Sequence, residues 1–208
     1  MYATIVANGE LEESERLRAI WSRADLRVAA NGGARNARER LSIAPHVVIG
    51  DLDSLDDATA RWLDDARTER IQHPRAKDQT DLELAIDLAR ARGATRITLL
   101  GVLGARIDQT LANVFLLGRG DDVRIVTHLS ELWITRGSTE IIGKIGDTVS
   151  LIPLSERVDG IETWDLEFPL RGETLYQSAA RGISNVLQAE HARVRVKNGT
   201  LLIVHYHL

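Results

Sequence analysis

The chain has no cysteine, one methionine and four prolines, and aromatics make up only 4% of its 208 residues. Lack of cysteine excludes disulfides, thiolate nucleophiles, Cys-ligated zinc and iron–sulfur clusters, and fits a reducing compartment. Stability must come from packing. No run of about 18 apolar residues occurs, and Met1-Tyr2-Ala3-Thr4-Ile5-Val6 turns polar at Asn8 without the basic flank of a secretory leader. The expectation is a soluble, cytoplasmic protein with no membrane partner. A basic excess is also missing. With 26 Lys+Arg against 30 Asp+Glu and a net charge of -4, the chain has no general field for nucleic acid, so any phosphate binding must be local. HExxH, Gly-x-Ser-x-Gly, Walker A and Gly-x-Gly-x-x-Gly patterns are absent, which argues against hydrolase triads and the common nucleotide folds. The histidines show no metal-binding spacing, and His205 and His207, alternating with Tyr206 on a strand, are expected at the surface.

What the chain does contain is globular: 44% hydrophobic and 27% charged residues. Up to about residue 129, short apolar runs alternate with segments of helical period, the grammar of βα units around a parallel sheet. The runs are Tyr2–Ala7, Leu26–Ala30, His46–Ile49, Arg70–Gln72, Arg96–Leu100 and Val123–Thr127. Between them, Ser14–Arg23, Ala34–Leu41, Asp57–Ala66, Thr80–Ala91 and Gln109–Leu117 read as helices. From about residue 130 to 208 the period becomes two, so a second, all-β domain is expected. Its sharpest local prediction is a hairpin, Val194–Lys197 and Leu202–His207 about Asn198-Gly199.

Polar and glycine-rich clusters follow strand after strand, and ligands of open α/β sheets bind at the carboxyl ends of the strands. In Gly50-Asp51-Leu52-Asp53-Ser54, alternate residues of an extended segment point to one side with Cα atoms ~6–7 Å apart, so both carboxylates can flank one hard cation. The competing reading is a capping box, Asp53-Ser54-Leu55-Asp56, before the next helix. Asp78 and Asp81 lie three apart, as neighbours on a first helical turn, with Asp78 a potential N-cap. Beside them, Lys77 is one of three lysines in an arginine-rich chain. A third cluster, Gly104 through Asp108, offers a guanidinium in Arg106 and a carboxylate in Asp108. These aspartates would repel a polyphosphate, each like-charge pair at about 4 Å costing about 1 kcal/mol in water and about 4 at an effective dielectric of about 20. A divalent cation reverses the sign, and an oxygen-only donor set suits Mg²⁺ bridging carboxylates to substrate phosphates.

At these residues the chain resembles the thiamine pyrophosphokinase family. The resemblance rests on an ordered set spanning roughly residues 2 to 208: Ala30-Asn31-Gly32-Gly33-Ala34, Gly50 to Ser54, Lys77-Asp78-Gln79-Thr80-Asp81-Leu82-Glu83, Gly101 through Arg106-Ile107-Asp108-Gln109 to Asn113, and Gly182-Ile183-Ser184-Asn185. It implies an α/β fold with an N-terminal Rossmann-like parallel-sheet domain (1–129) that binds ATP and Mg²⁺, followed by a β-sandwich-like domain (130–208) for thiamine binding and dimerisation. The activity implied is transfer of the pyrophosphoryl group of ATP to the hydroxyl of thiamine, giving thiamine diphosphate and AMP. Asp51, Asp53 and Asp81 correspond to Mg²⁺-binding carboxylates. Lys77, Asp78, Arg106 and Asp108 match the polyphosphate and alcohol end of the site. Asn31, Gly32, Gly33, Thr80, Gln109 and Asn113 lie within the same motifs, and Ser184 and Asn185 match part of the thiamine pocket. A homodimer with the site at the subunit interface is also implied. The family usually has Asp where this chain has Asn31. Alternatives are a pyrophosphokinase for a pterin alcohol, a DxD sugar-nucleotide transferase, which would leave the second and third clusters without a role, and a non-enzymatic nucleotide sensor.

Overall fold

The computed structural model describes residues 1–208 except Lys77 and Ala105. It is a mixed α/β structure dividing into two compact units, Met1–His128 and Leu129–Leu208. Among the described residues no helix is long and apolar enough to cross a membrane.

The first unit alternates strand and helix: β1 (Tyr2–Val6), α1 (Glu15–Ser22), β2 (Leu26–Ala30), α2 (Gly33–Asn36) running into a π-helical turn at Ala37–Leu41, β3 (Val47–Gly50), α3 (Asp57–Asp65), β4 (Glu69–Gln72), α4 (Asp81–Ala91), β5 (Arg96–Leu100), α5 (Ile107–Phe115) and β6 (Val123–Val126). The strands pair in parallel in the order β6-β5-β1-β2-β3-β4. Strand parity places Val6, Ala29, Val48 and Leu100 on one face, where they form a core with Leu17 and Trp21 of α1, Ala34 of α2 and Leu63 of α3. Trp21 satisfies its indole N–H on the Ile43 carbonyl at 2.8 Å. Helix α4 packs on β1, β2 and β3 through the buried Leu82, Ala85, Ile86 and Ala89. Covering both faces explains why the inner strands read as continuous apolar runs. The crossover from β4 through α4 to β5 reverses the direction of strand addition between β1 and β5, and in open sheets that reversal marks the ligand crevice.

Two cap expectations are corrected. Helix α4 is capped by Thr80, whose hydroxyl accepts the Glu83 N–H while the Glu83 carboxylate accepts the Thr80 N–H, a reciprocal box that leaves Asp78 outside the helix. Helix α3 is capped by Asp56, which accepts the Thr59 N–H at 2.8 Å, and not by Asp53.

The second unit contains β7 (Ser130–Thr135), β8 (Ser138–Ile142), β9 (Thr148–Pro153), β10 (Arg157–Trp164), β11 (Arg171–Tyr176), β12 (Asn185–Val186), β13 (His191–Arg195) and β14 (Leu201–Tyr206). These pair antiparallel in two groups, β12-β9-β14-β7 and β11-β10-β13-β8. One apolar cluster draws on both, including Val149, Leu151 and Ile203 from the first group and Ile141, Ile161 and Val194 from the second. The expected β13–β14 hairpin does not form. Asn198 pairs with Asp159 of β10, whereas the Thr200 carbonyl accepts the N–H of Leu154 after β9, so the chain passes from one group to the other at Gly199. Gly199 has φ +96°, and a methyl group there would stand 2.7 Å from the Arg157 carbonyl oxygen. Strand β14 instead lies between β7 and β9 and is buried from Leu201 to His205, which an edge hairpin does not permit.

Candidate active site

The carboxyl ends of β1, β2, β3 and β5, with the N-terminal turns of α4 and α5, line a cavity of about 770 Å³ within the first unit. Its floor depends on close backbone approach. Ala7 N–H donates to the Leu100 carbonyl at 2.9 Å and Gly9 N–H to the Gly101 carbonyl at 2.6 Å, extending the β1–β5 pairing into the loops. A methyl group at Gly33 would lie 2.1 Å from the Val6 carbonyl oxygen, so glycine is what lets α2 start directly against β1.

Asp51 and Asp81 enter the same cavity from different parts of the chain. Gly50, with φ +149°, is the hinge of this convergence: a methyl group there would meet the Asn31 β-carbon at 2.9 Å and the Asp81 carboxyl at 3.1 Å. Asn31 sits in the left-handed region, φ 46°, which asparagine tolerates better than most residues. Its amide donates to Asp51 Oδ1 at 2.8 Å and, more weakly, to Asp53 Oδ1 at 3.5 Å, while its own Oδ1 accepts the Ser54 hydroxyl at 2.9 Å. An amide in place of a carboxylate therefore orients Asp51 without adding a like charge. The oxygen donors of Asp51 and Asp81 on one cavity wall are the chemistry a hard divalent cation requires, so this wall fits Mg²⁺.

Of the other sequence-derived residues, Asn31, Gly32, Thr80, Arg106, Gln109 and Asn113 also line the cavity. Asn113 donates to the Val102 carbonyl at 2.6 Å and braces α5 against the loop after β5. Gly33 is buried and is not among the lining residues. Asp53 is exposed, with Arg75 at 3.9 Å, and lies outside the lining, as does the exposed Asp78. Lys77 falls outside the described residues. Asp108, inside α5 and not its cap, forms a two-point pair with Arg106, from Nε to Oδ1 at 3.1 Å and from the Nη2 group to Oδ2. That pair holds the Asp108 carboxyl below, and the Arg106 guanidinium above, their ordinary values. Both side chains are about two-thirds exposed, so water screens the pair and it is readily exchanged for another anion.

In the second unit, Ser184 has φ 58° and donates its backbone N–H to the Ser150 hydroxyl at 3.1 Å, with its own side chain exposed. Asn185 is 6% exposed and committed to its surroundings: its Oδ1 accepts the Phe168 and Val186 N–H groups and its Nδ2 donates to the Phe168 carbonyl. It ties the start of β12 to Phe168.

Sequence reasoning missed a further polar cluster there. His205, expected at the surface, is 2% exposed, and its Nε2 lies 2.9 Å from Asp147 Oδ2. Burial opposes the Asp147 charge, but the Leu208 and Lys144 N–H groups and His205 more than offset it and hold the carboxyl below its ordinary value. The i,i+2 histidine pair was the available signal; its carboxylate partner is 58 residues away.

Fold and cavity together define an α/β protein with a carboxylate-lined cavity at the carboxyl ends of a parallel sheet. Comparison with known proteins narrows this: residues 17–127 match the thiamin pyrophosphokinase catalytic domain and residues 138–201 the thiamin pyrophosphokinase vitamin B1 binding domain. The chain belongs to the thiamine pyrophosphokinase family, whose members are enzymes. It is 26% identical to thiamine pyrophosphokinase 1 of Oryza sativa subsp. japonica over 93% of this chain and 83% of that one. Identity to the Bacillus subtilis thiamine pyrophosphokinase is 26% over 78% of each chain. The crystal structure of thiamine pyrophosphokinase from Bacillus subtilis has the same fold, with a TM-score of 0.89, 23% identity and coverage of 100% of this chain and 99% of that one. The pterin, sugar-nucleotide and sensor alternatives gain no support from these comparisons.

Proposed function

We propose that this chain transfers the β,γ-pyrophosphoryl group of ATP to the hydroxyethyl oxygen of thiamine, releasing AMP. The observation that carries the proposal is the convergence of Asp51 and Asp81 with Arg106 on one cavity at the carboxyl ends of the sheet. Asp51, Asp81 and Asp53 would hold Mg²⁺, which would supply charge neutralisation for the polyphosphate. Arg106 exchanges Asp108 for a phosphate oxygen, where its planar fork binds two oxygens at once. Lys77 and Asp78, which stand just ahead of Thr80 in the sequence, serve the same end of the substrate. Asn31 keeps Asp51 aimed, and Gly32, Gly33, Thr80, Gln109 and Asn113 fix the walls.

The attacking alcohol must reach the β-phosphorus in line with the departing AMP oxygen, so catalysis is mainly positioning and electrostatic stabilisation. Asp81, or Asp108 once freed from Arg106, accepts the alcohol proton. An acidic wall also suits the permanent positive charge of a thiazolium ring. Ser184, next to Asn185, is assigned to thiamine.

We further assign the Rossmann-like and sandwich-like descriptions to the two units and a cytoplasmic site to the protein, which its lack of cysteine favours. A homodimer is supported by Ile107, Leu111 and Phe115, 54–67% exposed along one side of α5. The test is purified protein with ATP, Mg²⁺ and thiamine. Thiamine diphosphate and AMP in equal amounts are expected; ADP as product, or nucleotide binding without turnover, refutes the assignment.

A further inference from the structure

We propose that Asp147, His205 and His207 form a binding site for a divalent cation of the Zn²⁺ class, separate from the acidic cavity. The site is built by the β9–β14 register. Pairing of His205 with Val149 and of Tyr206 with Thr148 brings the end of β14 beside the turn that precedes β9, where Asp147 stands. His205 and His207 share a strand face, and Tyr206 points the other way. Asp147 Oδ2 lies 2.9 Å from His205 Nε2 and 3.7 Å from His207 Nδ1, and one ligand atom from each residue falls within 4.8 Å of the others. Donors of a tetrahedral zinc centre with bonds of about 2.0–2.1 Å stand roughly 3.3 Å apart, a spacing these two distances bracket.

The surroundings are built for three converging ligands. Asp147 and His205 are 1% and 2% exposed, whereas the His207 side chain, 30% exposed, leaves a path for a cation and a water as fourth ligand. Lys144 N–H to Oδ2 at 2.9 Å and Leu208 N–H to Oδ1 at 3.0 Å fix the carboxylate plane. A methyl group at Gly143 would stand 2.6 Å from both Asp147 Oδ2 and His205 Cε1, so a glycine keeps this space open. On the far side of the His207 ring, Nε2 is 4.0 Å from Glu131 Oε1, the position of the outer carboxylate that commonly orients a metal-bound imidazole. Two imidazoles and one carboxylate favour Zn²⁺ over Mg²⁺. Binding replaces the His205–Asp147 hydrogen bond with one bond from each residue to the cation, the neutral imidazole then carrying its proton on Nδ1. The bound ion would tie the turn before β9 to the end of β14.

The full chain, stripped with a chelator and titrated with Co²⁺ alone, tests this. One equivalent per chain should give the visible absorption of a four-coordinate centre, displaced by Zn²⁺. The band should be lost in His207→Ala and kept in Asp51→Asn, and Glu131→Gln should weaken Zn²⁺ binding about tenfold or more. In the unaltered chain, the ring-nitrogen resonances of His205 and His207 should shift on adding Zn²⁺. Absence of the band, its survival in His207→Ala, its loss in Asp51→Asn, or unmoved histidine resonances would overturn the site, leaving a plain Asp–His hydrogen bond.

Discussion

In the unit Met1–His128 the central carboxylates, Asp51 and Asp81, stand half-buried at a cavity wall, whereas in Leu129–Leu208 Asp147 is 1% exposed and ringed by backbone N–H groups. The same side chain serves two ends. A carboxylate at a cavity can exchange partners, so its natural use is binding. One held by Lys144, Leu208 and His205 has its position fixed, so it joins two segments of the chain whether or not a cation is beside it.

If the contrast is right, substitutions should separate activity from stability. Asp51→Asn should lower AMP formation by about 10²–10³-fold or more while changing unfolding free energy by less than about 0.5 kcal/mol; comparable losses of activity and stability would erase the distinction. Leu151→Ala, in the core shared by both strand groups of the second unit, should cost about 2–5 kcal/mol in denaturant unfolding. Arg106→Gln should raise the KM for ATP by roughly tenfold, about 1.4 kcal/mol, with an unaltered melting temperature. An unaltered KM would confine Arg106 to its pair with Asp108.

The smallest expected effect concerns pH. The Thr59 backbone N–H and hydroxyl, with Arg38, hold the Asp56 carboxyl below its ordinary value. The unfolded chain therefore binds that proton more readily than the folded one. The stabilisation is complete above the unfolded carboxylate range and disappears as pH falls through the lower folded value. Melting curves of wild type and Asp56→Ala should differ slightly at neutral pH and converge in strong acid; a gap that widened on acidification would reverse the sign.

How much was legible follows from the range of each interaction. The runs Leu26–Ala30 and Arg96–Leu100 coincide with β2 and β5 because strands covered on both faces are apolar over most of their length. Even the polar β4 was found, although its pattern is that of an exposed edge. Helix α5 begins two residues earlier than its apolar period suggested, because Arg106, in an extended conformation, precedes it. Residues 194–207 were misread because an Asn-Gly pair between strands reads as a hairpin, and only tertiary hydrogen bonds to Asp159 and Leu154 show that it joins different layers. The gathering of Asp51 and Asp81 was legible from their place after strands in motif order. The partner of His205 was not, because no local pattern links it to Asp147.

The account depends on carboxylates that turn away a bare polyphosphate and accept it with a cation. Calorimetric titration of ATP into the full chain, with and without Mg²⁺, measures that directly. Tight binding only with Mg²⁺, lost in the Asp51→Asn, Asp81→Asn double variant, is predicted; equal affinity without the metal would contradict it.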